Sequence, residues 1–598
     1  EERPAGDVWK EGDFFGNPDD IESTFKLIER LQKNDKHQID EDHVLRSRLF
    51  DILIGDWDRH EDQWRWAKYE MEDDIKLYRP IPRDRDQAFF WSDGTIIKAA
   101  SHKWGLPKFQ GFHHEIKNVE GLEFNARYFD RTFMIRKTKE EWIKMAEEIQ
   151  TAITDEVIEN AIRKWPEEIY SLNGPLIEEK LKRRRNDLKE YAIQYYYFLA
   201  DEVEIVGSDK AEFFNVNRLN DNETEVTVYR VKEKSGEKKF KTYHRVFKSS
   251  ETKEIRLYGL GDNDRFALFG KVKKGIKVRI IGGKGKDRVT DYSSVSGSGK
   301  KTILYDKHKG TTIESGKELK DKTSDTKENI NEYDRYAFKY NKLTPALAFE
   351  YNPDDGIFFG GGFTIVKHGF RKLPFAKRHS ATISLAPRSG SYHFKYTGTF
   401  AQLFGNWNME FDLDILEPSY GDFFYGFGNK SREIDDFIDN DRQFYNARYS
   451  QWIIGPSITR EIKKIHKIEL GGIFRRVSLS TSLNDEEPNR FITEYENIIG
   501  LDDDALSLLD NERWYVGPHI NYSFDKTNLP GFPSRGLRWN VSGRAMNQLG
   551  DEKNSYQAIE SDLSTYLTLA KSGEFQVVLA QRIGGGVNFG DFEFFQAQ

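Results

Sequence analysis

From about residue 333 onward, apolar and polar side chains alternate in runs of about ten residues. Two such runs cover residues 392–400 and 513–525. Because successive side chains of a strand point to opposite faces, each run predicts a strand with one apolar and one polar face. The apolar positions of a third run are Trp407, Met409, Phe411, Leu413 and Ile415.

About ten or eleven such strands follow one another, most of them through short connections, and two interpretations are open. One is an open antiparallel sheet with a single wet face, but a sheet of that width usually curls or splits. The other is a transmembrane β-barrel, whose aqueous lumen accommodates the charged faces. We predict the barrel, with Trp407, Phe411, Trp514 and Phe524 facing lipid.

Residues 1–203 have the pattern of helices. Apolar residues recur at helical spacing from Glu140 to Gln150 and from Thr154 to Lys164, and residues 177–200 contain no helix breaker. A basic run at residues 182–185 predicts a solvated helical face, with contact to lipid phosphates as the alternative.

Between residues 204 and 332, short β-prone runs are separated by Gly, Asn and Asp, which predicts a small β-domain. The polar stretch 309–332 that closes it predicts a linker. Residues 282–289 fit the turn of calcium-binding β-rolls, and a looser copy lies 23 residues earlier. Because a β-roll needs contiguous repeats that share calcium, we predict tight turns and no calcium at Asp287.

Composition narrows the class of protein. The net charge of −8, from 91 basic and 99 acidic residues, argues against a nucleic-acid binder that uses a broad basic surface. The chain has no cysteine, which excludes disulfides and thiolate chemistry and fits a bacterial envelope protein. It begins without Met or a signal peptide and ends within a strand-like run, so we expect a piece of a longer protein.

Two turn motifs lie inside the alternating region. Since Gly and Asn accept positive φ and Pro blocks further strand pairing, both motifs predict turns between strands. The first contains Tyr425, Gly426, Gly428 and Asn429, and the second contains Asp525, Pro533 and Gly536.

The alternating region with these turns resembles the Omp85 superfamily, which includes the BamA-type and TamA-type barrels. The turns are similar to the family's Y-G-x-G-N turn and to its D-T-R-D-N-P…F-P-x-x-G junction. The resemblance implies a sixteen-strand outer-membrane barrel, of which about eleven strands can be placed here. It also implies insertion or export of proteins or lipids. The family's lumen-loop arginine motif and terminal aromatic signal are not present in this sequence.

The strongest chemical pattern lies near the N-terminus, in the loop of residues 55–64. It follows a predicted helix with leucines at positions 45, 49 and 53, and it precedes two predicted strands, 63–69 and 76–82. An acidic loop, Arg83–Phe89, comes next. This is the order of a protein-kinase C-lobe, where a catalytic Asp is followed five residues later by an amide ligand. Asp58 and Gln63 have that spacing.

This segment resembles the catalytic loops of secretory-pathway kinases, HipA-type kinases and type II phosphatidylinositol 4-kinases. The resemblance implies that Asp58 orients or deprotonates an acceptor hydroxyl and that Gln63 and Asp84 bind Mg²⁺. Gln63 replaces the usual Asn, and no Gly-rich loop or strand lysine precedes Asp58. A structural remnant without catalysis is the alternative. Proteins of this combination also carry a metallophosphoesterase domain, whose ligand motifs are not in this sequence.

We therefore predict three parts: an α+β, kinase C-lobe-like domain at 1–203, a small all-β domain and linker at 204–332, and a truncated antiparallel transmembrane β-barrel at 333–598. The predicted protein lies in the bacterial outer membrane with its N-terminal domains in the periplasm. Its expected partners are outer-membrane lipid and client proteins, and nucleic acid is excluded. The alternative function is a membrane-tethered, metal-dependent phosphotransferase or phosphoesterase.

Overall fold

The computed structural model describes residues 14–92, 94–233, 235–297, 299–353, 355–423, 446–480, 512–550, 554–573, 575–592 and 596. Its internal contacts divide the chain into two compact units, Glu1–Phe338 and Lys339–Gln598. The three-part division at residues 203 and 332 stays a prediction. No helix in the described part of the chain is long and apolar enough to cross a membrane.

The N-terminal part of the first unit combines helices with a small sheet, so its predicted α+β class is confirmed. The helices are α1 (Thr24–Lys33), α2 (Glu41–Ile54), α3 (Thr95–Ala100), α4 (Val119–Leu122), α5 (Arg127–Phe133), α6 (Lys139–Ala152), α7 (Asp155–Ile162) and α8 (Glu167–Ala200). Helix α2 starts at a cap in which the Asp40 side chain accepts the His43 N–H at 3.1 Å. It ends at Gly55, whose φ of 72° favours glycine.

A four-stranded sheet packs against these helices, in the order β1 (Asp20–Ser23), β3 (Trp64–Glu70), β4 (Lys76–Pro82) and β2 (His37–Ile39). β3 and β4 form the predicted hairpin, with Trp64 opposite Pro82. The buried Trp64 stacks on Phe129 with ring centroids 4.6 Å apart. The hairpin therefore brings the loop that enters it, residues 56–63, and the loop that leaves it, residues 83–89, to one end of the sheet.

The predicted long helix is present as α8, but its basic run is not solvated throughout. Arg184 is only 1% exposed. Its guanidinium donates to the carbonyl of Ile52 at 3.1 Å and lies 4.3 Å from the centre of the Phe112 ring. The prediction of a solvated face is wrong at this position, because the inner side of α8 passes over α2 there.

Residues 202–321 form a solenoid in which successive coils add parallel strands to two facing sheets. One sheet contains β17 (Leu319–Asp321), β15 (Thr302–Tyr305), β12 (Lys277–Ile281), β9 (Glu254–Tyr258) and β5 (Glu202–Val206). The other contains β16 (Thr312–Ser315), β13 (Arg288–Asp291), β10 (Arg265–Phe269), β6 (Glu212–Arg218) and the antiparallel strands β7 (Glu223–Val231) and β8 (Lys238–Lys248). A short parallel pair joins β11 (Lys271–Val272) to β14 (Ser294–Val295).

The two copies of the glycine-rich turn are neighbouring coils of this solenoid. The Asp264 N–H donates to Oδ1 of Asp287 at 2.9 Å, across a separation of 23 residues. The interpretation as isolated tight turns is therefore wrong, because the spacing between the copies is the length of one coil. The predicted linker is also wrong from Thr312 to Asp321, where β16 and β17 extend the two sheets.

The second unit is an eleven-stranded antiparallel sheet in the described residues, with every strand paired to its neighbours in sequence. This confirms the predicted up-and-down order. The strands are β18 (Lys342–Asn352), β19 (Gly356–Lys367), β20 (Lys377–Ala386), β21 (Ser391–Phe404), β22 (Trp407–Phe423), β23 (Asn446–Ile462), β24 (His466–Ser480), β25 (Arg513–Asp525), β26 (Gly536–Leu549), β27 (Ser555–Ser572) and β28 (Phe575–Gly590).

The register keeps apolar and polar residues on separate faces of this sheet. On one face, Phe394 pairs with Ile415 and Phe474 pairs with Val516. On the other, Glu469 pairs with Asn521, Asn540 with Asp562 and Ser542 with Glu560. The predicted faces of the runs 392–400, 407–415 and 513–525 are confirmed, and contact of the apolar face with lipid stays a prediction.

Candidate functional site

The first candidate site is the loop that leaves α2. Asp56 is fully buried, and its carboxylate accepts from the Arg59 guanidinium at 3.4 Å and from the Asp58 N–H at 3.3 Å. Burial raises the pKa of Asp56 to about 6, against the opposing effect of Arg59. Asp56 lies in the loop of residues 55–64, but the kinase-like spacing assigned roles there to Asp58 and Gln63 and none to Asp56.

Arg59 connects the two loops that the sequence analysis predicts to meet. Its guanidinium donates to the carbonyl of Gln63 at 3.4 Å and to the carbonyl of Asp84 at 3.2 Å. The backbones at these two predicted metal-ligand positions therefore lie around one guanidinium. Asp84 has a φ of 54°, which few residues other than Gly, Asn and Asp adopt. Convergence of the Asp58, Gln63 and Asp84 side chains stays a prediction.

Asp51 of α2 anchors both loops, and the sequence analysis missed it. Its fully buried carboxylate accepts from Arg48 at 2.9 Å, from Arg59 at 3.1 Å and from Arg85 at 2.8 Å. Arg59 belongs to the first loop and Arg85 to the second, so one carboxylate fixes both. The only signal in the sequence is an Arg and an Asp three residues apart, a spacing typical of exposed helical ion pairs.

Beneath Asp51 the ion pairs continue into the core. Arg48 donates to both oxygens of Asp130, at 2.7 and 3.0 Å, and to Glu123. Burial raises the pKa of Glu123 to about 8, although Arg48 acts in the opposite direction. The Tyr195 hydroxyl also donates to Asp130, at 2.7 Å. Arg48 and Asp130 are each held by several hydrogen bonds, and such a buried network fixes the position of its side chains.

Asp58 itself is within reach of solvent, with 25% of its side chain exposed. It accepts a hydrogen bond from the Asn125 amide, and His60 Nε2 lies 3.8 Å from its second oxygen. The Asn125 oxygen accepts from Lys108 Nζ at 3.3 Å, and this ammonium lies 4.6 Å from the centre of the Trp57 ring. The structure therefore adds an amide and a cation, Asn125 and Lys108, that the sequence analysis did not find.

An exposed carboxylate oriented by an amide is able to accept the proton of a bound hydroxyl. In the described part of the chain, no three His, Asp or Glu side chains are arranged to hold a metal ion. Mg²⁺ at Gln63 and Asp84 therefore stays a prediction, and no chemical step is derived through it.

The second candidate site is the polar face of the eleven-stranded sheet. His393 bridges Glu350 and Asp414, with both ring nitrogens 3.0 Å from a carboxylate oxygen. Further along the sheet, His519 lies 3.1 Å from Glu469. His393–Asp414 and His519–Glu469 join neighbouring strands, whereas Glu350 reaches His393 from β18, which is not paired with β21.

A polar groove of about 690 Å³ opens on this face between β24 and β28. It is lined by charged and amide side chains, among them Lys467, Glu469, Asn521, Glu560, Asp562 and Arg582. The opposite face exposes large apolar side chains, with Leu347 95% exposed and Ile583 73% exposed. A polar interior and an apolar exterior are the pattern of a transmembrane barrel wall.

Residues 389–597 match the Omp85 superfamily domain. This Omp85-like domain covers β21 to β28 of the sheet. Among solved structures, the chain is similar to BamA from Haemophilus ducreyi lacking POTRA domains 1–3, with 13% identity and a TM-score of 0.30. That similarity covers 42% of each chain, so it spans less than half of the BamA structure. No curated protein matches the chain.

The second predicted turn motif connects β25 to β26 within the Omp85-like domain. Asp525 accepts from the Thr527 N–H at 3.0 Å and from Arg538 Nε at 2.9 Å. Gly536 has a φ of 126°, and a Cβ there would lie 2.2 Å from the Lys526 carbonyl oxygen, so only glycine fits. Pro533 is half-buried in the same turn. The first motif, with Tyr425, Gly426, Gly428 and Asn429, lies outside the described residues.

Proposed function

We propose that the chain belongs to an outer-membrane protein whose Omp85-like domain forms the wall of a β-barrel and inserts or exports client proteins or lipids. The observation that carries this proposal is the continuous division into one ionic and one apolar face across eleven strands, of which β21 to β28 lie within the region that matches the Omp85 superfamily domain. A charged face of this extent needs water, and the exposed apolar face needs lipid.

The sheet also offers a means of handling clients that needs no catalytic residue. In the described residues β18 pairs only with β19, so its other edge presents unpaired backbone N–H and C=O groups. A client strand added to such an edge gains main-chain hydrogen bonds, while its side chains alternate between lumen and lipid. We expect recognition of clients by strand addition and not by a side-chain pocket.

In this proposal the first unit lies in the periplasm and recruits the client. The ion-pair network around Asp51 suits a rigid recruiting domain, since it fixes the loops without needing a ligand. The alternative is a membrane-tethered phosphotransferase or phosphoesterase, and the partly exposed Asp58 beside Asn125 and Lys108 is what favours it.

The two functions are distinguished in the full-length protein in its host. The variant Asp58→Ala/Asp84→Ala should leave outer-membrane biogenesis or export within about twofold of the wild type, because strand addition needs neither carboxylate. Truncation after residue 332 should abolish the function. Asp58→Asn/Asp84→Asn, which keeps side-chain size, is the matched control for folding.

If the double alanine variant is folded and inserted in the membrane but behaves like a deletion, the enzyme-like alternative is right. If the truncated protein keeps full function, the Omp85-like domain is not the principal functional part.

A further inference from the structure

Residues 94–108 of the first unit, which we name the docking loop, expose several large apolar side chains together. Ile96 is 83% exposed, Leu106 52%, Trp104 46% and Ile97 44%. Clustered exposure of this kind is rare on a soluble domain and marks a site of interaction. We propose that the docking loop inserts these side chains into the surface of a phospholipid bilayer.

The loop is braced by its own backbone. The Leu106 N–H donates to the carbonyl of Ala100 at 2.6 Å, and the Gly105 N–H donates to the carbonyl of His102 at 2.9 Å. A Cβ at Gly105 would lie 2.2 Å from the Ala100 carbonyl oxygen, so this turn requires glycine. The turn fixes Trp104 and Leu106 close to the end of α3, which carries Ile96 and Ile97. Binding therefore needs little further ordering of the chain.

The charge of the docking loop favours anionic lipid as its partner. Lys98 and Lys103 lie within it at exposed positions, while Lys108 is held by Asn125 in the first candidate site. Residues 94–114 contain no Asp or Glu, in a chain whose net charge is −8. Trp104, stacked on His102 with ring centroids 6.2 Å apart, has the amphipathic ring that prefers the membrane interface. Apolar side chains with a rim of lysines bind a bilayer whose headgroups carry negative charge.

A second group of exposed apolar side chains lies on α8. Ile169, Leu172 and Leu176 follow one another at helical spacing and are 47%, 75% and 40% exposed. One turn further, Lys180 Nζ lies 3.8 Å from the centre of the Trp91 ring, three residues before the docking loop. Exposed apolar side chains are thus present on α8 as well as in the docking loop, and both are available to a membrane surface.

The experiment uses single cysteines in the full chain, which has none of its own. Ile96→Cys and Trp104→Cys are labelled with an environment-sensitive fluorophore, and the protein is reconstituted into vesicles of phosphatidylethanolamine and phosphatidylglycerol. Some vesicles contain spin-labelled lipid, which quenches only by contact. Leu219→Cys, which replaces a side chain 51% exposed in the solenoid, is the matched control. Phe411→Cys on the apolar face of the sheet reports barrel insertion.

We expect spin-labelled lipid to quench the probes at 96 and 104 but not the probe at 219. Lys98→Gln and Lys103→Gln should each lower the ratio of membrane-bound to free loop by about fivefold at low salt. The inference is overturned if the probe at 96 is quenched no more than that at 219. It is also overturned if the probe is shielded from aqueous quencher but not reached by lipid, because the loop then binds a protein. Loss of quenching at 411 would instead contradict the proposed function.

Discussion

Replacing Asp264 by Asn should make the free energy of unfolding of the solenoid depend less steeply on pH. Glu212, Asp264, Asp287 and Asp306 occupy successive coils and are between 0 and 2% exposed. Oδ1 of Asp264 accepts the Glu212 N–H at 2.9 Å, and Oδ1 of Asp287 accepts the Asp264 N–H at 2.9 Å. In the described structure, the second oxygens of Asp264 and Asp287 are buried and have no hydrogen-bond donor. We call these four residues the carboxyl ladder.

The ladder favours protonated carboxyl groups. Burial raises the pKa of Glu212 to about 8, and Asp35 acts in the same direction while Ser208 and Arg230 oppose it. Burial, followed by the negative charge of Asp306, raises the pKa of Asp287 to about 8. The pKa of Asp264 is also raised, first by burial and then by the charges of Glu212, Asp287 and Asp262.

Because these pKa values are higher in the folded state, the stabilisation is complete below about pH 4 and is lost as the pH rises toward about 8. Each carboxyl group that stays protonated contributes a slope of about 1.4 kcal/mol per pH unit. Asp264→Asn keeps the acceptor for the Glu212 N–H and cannot ionise. The free energy of unfolding of the variant should therefore fall less steeply with pH, by about 1.4 kcal/mol per unit.

The measurement is the urea dependence of amide hydrogen exchange in peptides covering residues 255–306 of the whole chain, at pH 5 and pH 8. Asp321→Asn, at an exposed position of the same solenoid, should leave the pH dependence unchanged. The reasoning is refuted if Asp264→Asn lowers stability equally at both pH values, since Asp264 would then be an ordinary ionised acceptor.

Two further predictions test the core and the sheet. Arg48→Met should lower the free energy of unfolding of the first unit by about 3–5 kcal/mol in thermal or urea unfolding, because it leaves the buried carboxylates without a cation. Arg46→Met, on the same helix with a 56% exposed side chain, should cost less than about 1 kcal/mol, and equal losses would contradict the network. Water-soluble thiol reagents should modify cysteines on the polar face of the reconstituted sheet and miss those on the apolar face, and the reverse would overturn the assigned faces. The polar-face variants are Asp412→Cys and His519→Cys, and the apolar-face variants are Phe411→Cys and Phe524→Cys.

The local spacing of apolar residues was sufficient to predict individual helices and strands. It was not sufficient to predict how strands distant in sequence pair with one another. The helical spacing before Gly55 predicted α2, and strict alternation predicted the faces of β21, β22 and β25, since both patterns depend on residues within one element. The solenoid was missed because parallel pairing joins residues one coil apart, and only two copies of the glycine-rich turn, 23 residues apart, record that spacing in the sequence.

In the candidate site, too, residues of a local motif could be named from the sequence, whereas residues that only the fold brings together could not. Asp58 and Asp84 were proposed as site residues because they lie in loops that resemble those of kinases, and their role stays a prediction. Asp51 was not named, since its three guanidinium partners come from different elements. Arg184 was predicted to be solvated with its neighbours, whereas the packing of α8 on α2 buries it. Whether a charged residue is buried depends on how the helices pack, so it cannot be predicted from the composition of a basic run alone.

The last prediction concerns residues 333–338, the final segment of the first unit. Arg335 forms a buried ion pair with Glu61 of the loop that enters the hairpin, residues 56–63, at 2.7 Å and with 10% of each side chain exposed. Tyr336 packs on Tyr128 with centroids 4.9 Å apart, and the Arg131 guanidinium lies 3.6 Å from the Phe338 ring. The segment that leads to the second unit is therefore held by contacts within the first unit, one of which comes from the loop that contains Asp58.

Arg335→Met should release this segment, because it leaves the Glu61 carboxylate buried without its cation, at a cost of about 3 kcal/mol. Hydrogen exchange of peptides covering residues 333–338 should then accelerate by about a hundredfold, since each 1.4 kcal/mol of local opening changes the open population tenfold. Glu61→Gln combined with Arg335→Met removes both charges and should restore most of the protection. If the double variant exchanges as fast as Arg335→Met alone, the pair is not what holds the segment. Recovery would show that the segment is held by the pairing of Arg335 with Glu61 and not by the packing of either side chain alone.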